Sequence, residues 1–441
     1  MKPRPEIPAG PYLVVGLARS GVAAALALRA RGADVIGVDA GVPGGTDALD
    51  EAGVQVHAGA QGESLLGRVR CVVKSPGVPA QAPVIAAARS RGLPVMGELE
   101  LAWRMLPNEF IAVTGTNGKT TTTELIGHIH REAGLPVAVA GNVGTAACSL
   151  VGSLGPEVTI ACEASSFQLE DTLAFAPEAA VLLNITPDHL DRHGTLEAYT
   201  RAKLLVFARQ GNDDIAVAPL QPALDDLGGC ARRVLFGAGP GAALSARAGQ
   251  LWWQEGPLLA LGEVRLRGAH NLDNAMAAAA VCLARGVDPD AVRAGLRTFA
   301  GVAHRLQEVA CRDGVLYVND SKATNISSTT VALDAFSDGG PIHLILGGQG
   351  KGQDFTALRG PVERSCGAVY LIGQDASLIA EALSGADVEV HECGELERAV
   401  SQARKAARRG EIVLLSPACA SFDQFTDFEA RGERFRELVA L

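Results

Sequence analysis

Short apolar runs alternate with Ala-rich stretches of helical period along the whole chain. YLVV at 12–15 is followed by helically spaced apolar positions near 20–31 and then by DVIGVD at 34–39, the pattern of strand, helix and strand. CVVKSPGVP at 71–79 adds a strand that ends in a Pro/Gly turn, and GLPVMGELE at 92–100 leads out of this region. A second set opens with FIAVT at 110–114 and includes PVAVAG, VTIACEASS, AVLLNIT and DIAVAP, with a last helix expected after Asn271. Gly286-Val-Asp-Pro289 and Gly301-Val-Ala-His-Arg305 then break the helical pattern, and VLYVND, HLILGG, VYLIG and EIVLLS make a third alternation. Three α/β domains are predicted, 1–97, 98–302 and 303–441: a Rossmann-like N-terminal domain, a central parallel-sheet domain and a Rossmann-like C-terminal domain.

Length agrees, since 441 residues at about 150 per domain suggest three units. A net charge of −10 gives no overall attraction for polyanions, so nucleic acid is not an expected partner and any phosphate must be held locally. Nine cysteines without a Cys-x-x-Cys pair, several of them inside apolar runs (Cys71, Cys162, Cys282), read as reduced, buried thiols. The start MKPRPEIPAG lacks an apolar signal core, and the longest apolar run, AMAAAAVCLA at 275–284, is too short to span a bilayer. The expectation is a soluble cytoplasmic protein with no membrane partner.

FIAVT runs directly into Gly115-Thr-Asn-Gly-Lys-Thr120, then Thr121 and a helix expected from about Glu124. Glycines let the backbone turn tightly and aim N–H groups at phosphate oxygens, a helix N-terminus adds partial positive charge, Lys119 neutralises the β/γ-phosphates, and the Thr120 hydroxyl can ligate Mg²⁺. This marks the central domain as a P-loop-type ATPase domain. Its spacing is a variant, because Val113 stands where the first glycine of the commoner motif falls. Glu163 closes the strand VTIACE, where parallel sheets place ligand groups, and a lone carboxylate there suits Mg²⁺. Asp188-His-Leu-Asp-Arg-His193 follows the next strand. Asn142 and the run Ser165-Ser-Phe-Gln168 also follow strands, so three polar loop tips converge beside one phosphate loop.

GTNGKT, GNVG, EASSFQLE, NITPDHLDRHG, AYTRAK and GAHNLDN, in that order, resemble the Mur ligase family. The resemblance implies that Gly115, Thr116, Asn117, Gly118, Lys119, Thr120 and Thr121 bind ATP, with Asn271 and Asn274 on the adenine side. It makes Glu163 and His189 ligands of Mg²⁺, two ions being expected, Asn142 and Ser165 contacts to the sugar-peptide substrate, and Lys203 a lysine carried as a carbamate that also serves as a metal ligand. Lys119, His189 and Lys203 become the catalytic set.

In the third domain, Asn319-Asp-Ser-Lys-Ala-Thr-Asn325, Gly347-Gly-Gln-Gly-Lys351 and Ser416-Pro-Ala-Cys-Ala-Ser-Phe-Asp-Gln-Phe425 resemble the D-glutamate-adding branch; sister ligases usually carry an aspartate-tyrosine-alanine-histidine run in the first of these places. A dicarboxylic amino acid needs cationic and hydroxyl partners, so Thr324, Lys351, Ser421 and the backbone near Phe428 are its candidate contacts. By resemblance, Arg305 and Asp320 face ATP and Lys322 lies near the phosphates.

In the first domain, YLVVGLARSG with Asp39 after the next strand is a Rossmann-like fingerprint, for which NAD is a rival ligand. Ala18 replaces the glycine that permits close pyrophosphate approach, and the resemblance makes this a UDP pocket: Arg19 and Ser20 on the diphosphate, Asp39 on the uracil side, and the Ser75-Pro76-Gly77-Val78 turn closing over it. The implied reaction is ADP-forming addition of D-glutamate to UDP-N-acetylmuramoyl-L-alanine through an acyl phosphate, by a monomer, in peptidoglycan precursor synthesis. A folate polyglutamate ligase would share the central fold but has no need of a UDP-type first domain. A noncatalytic nucleotide-binding regulator would need neither metal ligands nor Lys203.

Overall fold

The computed structural model describes residues 2–44, 46–220, 226–266, 268–336, 339–350 and 352–441, apart from the side chain of Asp191. Met1–Phe299 and Ala300–Leu441 are two compact units.

The first sheet comprises β1 (Tyr12–Val15), β2 (Val35–Asp39), β3 (Gln55–Ala58), β4 (Cys71–Lys74) and β5 (Val95–Gly97), all parallel, in the order β3-β2-β1-β4-β5. Its central strands are continuous apolar runs because both faces are covered. Leu13 and Val15 join Ile36, Val38 and Val72 on one face, while Tyr12 and Val14 join Cys71 and Val73 on the other. Each fully buried aliphatic side chain of this kind contributes about 1.5–3 kcal/mol.

The second sheet contains β6 (Phe110–Thr114), β7 (Val137–Gly141), β8 (Thr159–Glu163), β9 (Ala179–Leu182), β10 (Ile215–Pro219), β11 (Arg232–Gly237), β12 (Leu244–Arg247), β13 (Gln250–Trp253) and β14 (Gly256–Ala260). Its order is β14-β13-β12-β11-β10-β9-β6-β8-β7, parallel as far as β12 and antiparallel through the β12–β14 meander. Sequence pattern misses β11–β14, whose strands are short, half-exposed and punctuated by glycine. β6 is buried along its length between β8 and β9, so the loop after Thr114 emerges at the carboxyl ends of three parallel strands. The next helix spans Lys119–Glu132, five residues earlier than expected. The run of threonines does not delay it: Thr122 N–H already bonds to Gly118 O, and Thr123 Oγ1 folds back on Lys119 O.

Ala300–Leu441 holds β15 (Gln307–Arg312), β16 (Val315–Asn319), β17 (Ile342–Gly347), β18 (Cys366–Ile372), β19 (Glu389–Gly394) and β20 (Ile412–Leu415), ordered β15-β16-β20-β17-β18-β19 with only β15 antiparallel. The loops after β16, β20 and β17 leave three adjacent strands at one sheet edge. Among the described residues no helix is long and apolar enough to cross a membrane. The cysteines are unpaired, with Cys71, Cys162 and Cys282 buried.

Candidate functional site

Gly115 (φ +153°) and Gly118 (φ +84°) shape the loop between β6 and the Lys119–Glu132 helix. A Cβ on Gly118 would be strained at that φ and would also run into Asn274 Oδ1, which brings the start of the Ala269–Ala284 helix against the loop. Asn274 Nδ2 donates to Asn271 Oδ1 at 3.2 Å. From the other side the segment after β9 grips the loop. Thr116 N–H donates to Asn184 O at 3.0 Å, Asn117 N–H donates to Asn184 Oδ1 at 2.9 Å, and Asn184 Nδ2 returns a bond to Asn117 O at 3.1 Å. Thr116 Oγ1 accepts from Thr186 N–H at 3.0 Å. Sequence reasoning passes over Asn184 although it sits in the NITPDHL run; only pairing across the fold reveals its work.

Two lysines converge on one carbonyl. Lys119 Nζ donates to Gly115 O at 3.0 Å and Thr116 O at 2.8 Å, and Lys203 Nζ donates to Gly115 O at 2.7 Å. Lys203 is 1% exposed and lies 4.3 Å over the Tyr199 ring, whose hydroxyl is 3.3 Å from Thr116 Oγ1. Burial, then repulsion from Lys119, lowers the Lys203 ammonium to about 7 against the opposing pull of Asp188. A large share of this amine is therefore neutral at physiological pH.

At the end of β8 the buried Glu163 accepts a bond from Thr120 Oγ1 at 2.7 Å and from Asn142 Nδ2 at 3.1 Å. Asn142 is set by its own N–H to Glu163 O, and Gly141 before it packs so closely on that carbonyl that a Cβ would overlap it. Among the described residues no group of three His, Cys, Asp or Glu side chains converges to hold a metal ion. His189 immediately precedes the short Leu190–His193 helix. It adopts φ +50°, lies 3.5 Å from Asp188, and has its ring 4.9 Å from Phe167. Phe167 is a platform: Arg192 stacks at 4.0 Å and the His193 ring at 5.3 Å, with His193 bonded to Ser166 Oγ at 3.0 Å and its Nδ1 lying 3.1 Å from Glu170 Oε1. Thr120 and Glu163 thus offer hard oxygen donors of the kind Mg²⁺ takes alongside water and phosphate oxygens. The Ser165 hydroxyl is engaged in a capping box with Gln168.

Around the first sheet, Asp39 receives Leu17 N–H at 2.7 Å and Gly41 N–H at 2.9 Å, and Ser75 Oγ donates to Gly16 O at 2.7 Å. These side chains shape the loops that carry them. Arg19 Nη1 reaches Gly144 O at 2.5 Å, and Ser20 is half-buried in the first turn of the Arg19–Ala30 helix. The Ser75–Val78 turn, in which Pro76 is half-buried and Gly77 exposed, is tied down by a lysine that sequence reasoning passes over. Lys74 Nζ bonds Val78 O at 2.7 Å and pairs with the buried Asp171 at 2.6 Å, while Arg192 also reaches Val78 O at 3.4 Å.

In Ala300–Leu441, Asp320 is buried, accepting from Leu306 N–H at 3.1 Å and Ser416 Oγ at 2.8 Å; burial raises its carboxyl to about 7. Arg305 is half-buried, and Lys322 Nζ stands 5.9 Å from the Phe428 ring centroid. Thr324 is half-buried, Ser421 is buried, and the Phe428 carbonyl accepts from Ser321 Oγ at 2.8 Å. Lys351 lies outside the described residues.

Three family models match successive parts of the chain: the MurD-like N-terminal domain of Mur ligases over residues 11–97, the Mur ligase middle domain over 113–282, and the Mur ligase glutamate ligase domain over 304–419. The UDP-N-acetylmuramoylalanine–D-glutamate ligase of Pelotomaculum thermopropionicum is 43% identical over 97% of this chain and 96% of its own length. The protein of that name from Myxococcus xanthus is 44% identical over 97% of each. Among solved structures, a UDP-N-acetylmuramate–alanine ligase from Thermotoga maritima superposes with a TM-score of 0.59 at 20% identity, covering 98% of this chain and 99% of its own, which is a likeness of fold.

Proposed function

The chain belongs to the Mur ligase family, and from that premise we infer that it is the ATP-dependent ligase that adds D-glutamate to UDP-N-acetylmuramoyl-L-alanine in the synthesis of peptidoglycan precursors. The observation that carries the chemistry is the convergence of Lys119 and Lys203 on the Gly115 carbonyl beside the Thr120–Glu163 pair.

The alanyl carboxylate of the UDP substrate attacks the γ-phosphorus of ATP, forming an acyl phosphate and releasing ADP. Lys119, with the N–H groups at the start of the Lys119–Glu132 helix, in a loop braced by Asn184, carries the charge on the transferred phosphoryl group. The glutamate amine then attacks the acyl carbon, loses a proton, and expels phosphate to leave the amide. Thr120 and Glu163, with His189, would hold Mg²⁺, which neutralises phosphate charge when bound. Lys203 is proposed to take up CO₂: its neutral Nζ adds to the carbon, a proton leaves to water, and a cation becomes an anion with two oxygens. Its burial and its low proton affinity support this, since an ordinary lysine, with a pKa of about 10.4, is roughly one part in a thousand neutral near pH 7.4.

Arg19, Ser20, Asp39, Ser75, Pro76, Gly77, Asn142 and Ser165 are proposed for the UDP substrate. Gly115 to Thr121, Asn271, Asn274, Arg305, Asp320 and Lys322 are proposed for ATP, and Thr324, Lys351, Ser421 and Phe428 for glutamate. We assign these roles to domains 1–97, 98–302 and 303–441 of a cytoplasmic monomer, which size-exclusion chromatography with light scattering tests. The function itself is tested by coupled-enzyme assay: ADP release should require UDP-N-acetylmuramoyl-L-alanine and D-glutamate together, and ADP release that ignores either one would refute the assignment.

A further inference from the structure

Among the described residues of Ala300–Leu441, the most buried cation has no role in the chemistry above. Arg431 lies in the first turns of the Phe428–Ala440 helix and is 1% exposed. Its Nε donates to Ser321 Oγ at 2.9 Å, and its Nη2 donates to Ser321 O at 2.8 Å and to Cys419 O at 3.1 Å. Nη1 makes no hydrogen bond and faces Gly348, where an added Cβ would come within 3.3 Å of it. Among the described residues Arg431 makes no direct ion pair with a carboxylate, Asp423 acting on it only at longer range, and burying a guanidinium without a direct counter-ion is costly. Burial lowers it to about 10 against the opposing pull of Asp423.

It bonds the loops after β16 and β20, and its Nη1 faces Gly348 in the loop after β17. Ser321 stands between Asp320 and Lys322, Cys419 is two residues before Ser421, and Gly348 is in the run that ends at Lys351. The last two loops are further joined by paired bonds between Gln349 and Ala420 at 2.9 and 3.0 Å. From one helix position the planar fork bonds both Ser321 and Cys419 and still presents Nη1 to Gly348. Resting on the glutamate-ligase reading, we infer that Arg431 is the positioning residue of the amino-acid site: its guanidinium ties two strand-end loops together with a third lying against Nη1, and holds a positive charge without a direct ion pair behind them for a dicarboxylate substrate. A lysine at this position keeps the charge and loses the fork.

The test is steady-state kinetics of Arg431→Lys and Arg431→Met against the parent chain, each substrate varied in turn, with thermal melts alongside. Losing the charge-assisted fork should raise KM for D-glutamate about tenfold or more, leave KM for the UDP substrate within about twofold, and be only partly rescued by lysine. If Arg431→Met does not fold, Arg431→Lys and Ser321→Ala carry the test, the latter with a smaller rise in the same direction. Unchanged KM for D-glutamate in folded Arg431→Lys overturns the inference, as does a uniform loss for all three substrates that tracks a lowered melting temperature. A parent chain whose ADP release ignores D-glutamate overturns the ligase reading, and this inference with it; the other two results leave that reading intact.

Discussion

Glu98→Gln should change the pH dependence of stability between pH 5 and pH 8. Glu98 opens the Glu98–Met105 helix, is buried, and accepts Cys148 N–H at 2.6 Å through Oε1, while Oε2 makes no hydrogen bond. Burial raises its carboxyl from 4.5 to about 7, against the opposing effect of the Cys148 contacts. An acid whose folded pKa is raised destabilises the fold only where the unfolded chain ionises it. The penalty is therefore absent below about pH 4.5 and complete above about pH 7, where a shift of this size is worth about 3 kcal/mol. Glutamine keeps the acceptor for Cys148 N–H and cannot ionise. Its unpaired amide adds a cost of about 1–3 kcal/mol that does not depend on pH, so the informative quantity is the slope. Urea unfolding at pH 5 and pH 8, followed by the fluorescence of Trp103 in the same helix, should show the variant gaining about 2 kcal/mol on the parent between the two conditions. A gap that stays constant would mean that the carboxyl ionises normally, and the buried-acid argument would be wrong.

Lys119→Ala should fold normally and lose about 10² to 10³ in kcat, the usual effect of removing one preorganised donor; turnover within threefold of the parent would reject the loop assignment. Asn184→Ala removes two bonds to Asn117, at about 1 kcal/mol each, and should raise KM for ATP about tenfold or more, read from initial rates at saturating co-substrates. Lys203→Ala should abolish activity without unfolding, short carboxylic acids should restore part of it, and ¹³C-bicarbonate should give the parent, not the variant, a carbamate resonance. Full activity in Lys203→Ala, or no carbamate signal in the parent, would contradict the proposal.

Much of this was legible because the chemistry rides on regular elements. FIAVT is buried on both faces and so reads as a strand, and GTNGKT can serve only at its carboxyl end. Continuous apolar runs likewise give away β1, β4 and β17. What stays hidden depends on partners far apart in sequence. Asn184, Lys74 and Arg431 look like ordinary polar residues until Asn117, Asp171 and Ser321 are brought to them. β15 and β19 lack a clean period because their half-exposed faces mix polar and apolar residues. The helix start at Lys119 was hidden for a local reason: threonine is a weak helix former, yet here the Thr123 hydroxyl bonds back to Lys119 O and that of Thr120 is taken by Glu163.

Isotope transfer tests the central claim most directly. UDP-N-acetylmuramoyl-L-alanine labelled with ¹⁸O at both carboxylate oxygens is turned over with ATP and D-glutamate, and the products are weighed by mass spectrometry. An acyl phosphate requires one labelled oxygen to leave in inorganic phosphate and the other to remain in the new amide. Unlabelled phosphate, or label in phosphate without formation of the glutamyl amide, would contradict it.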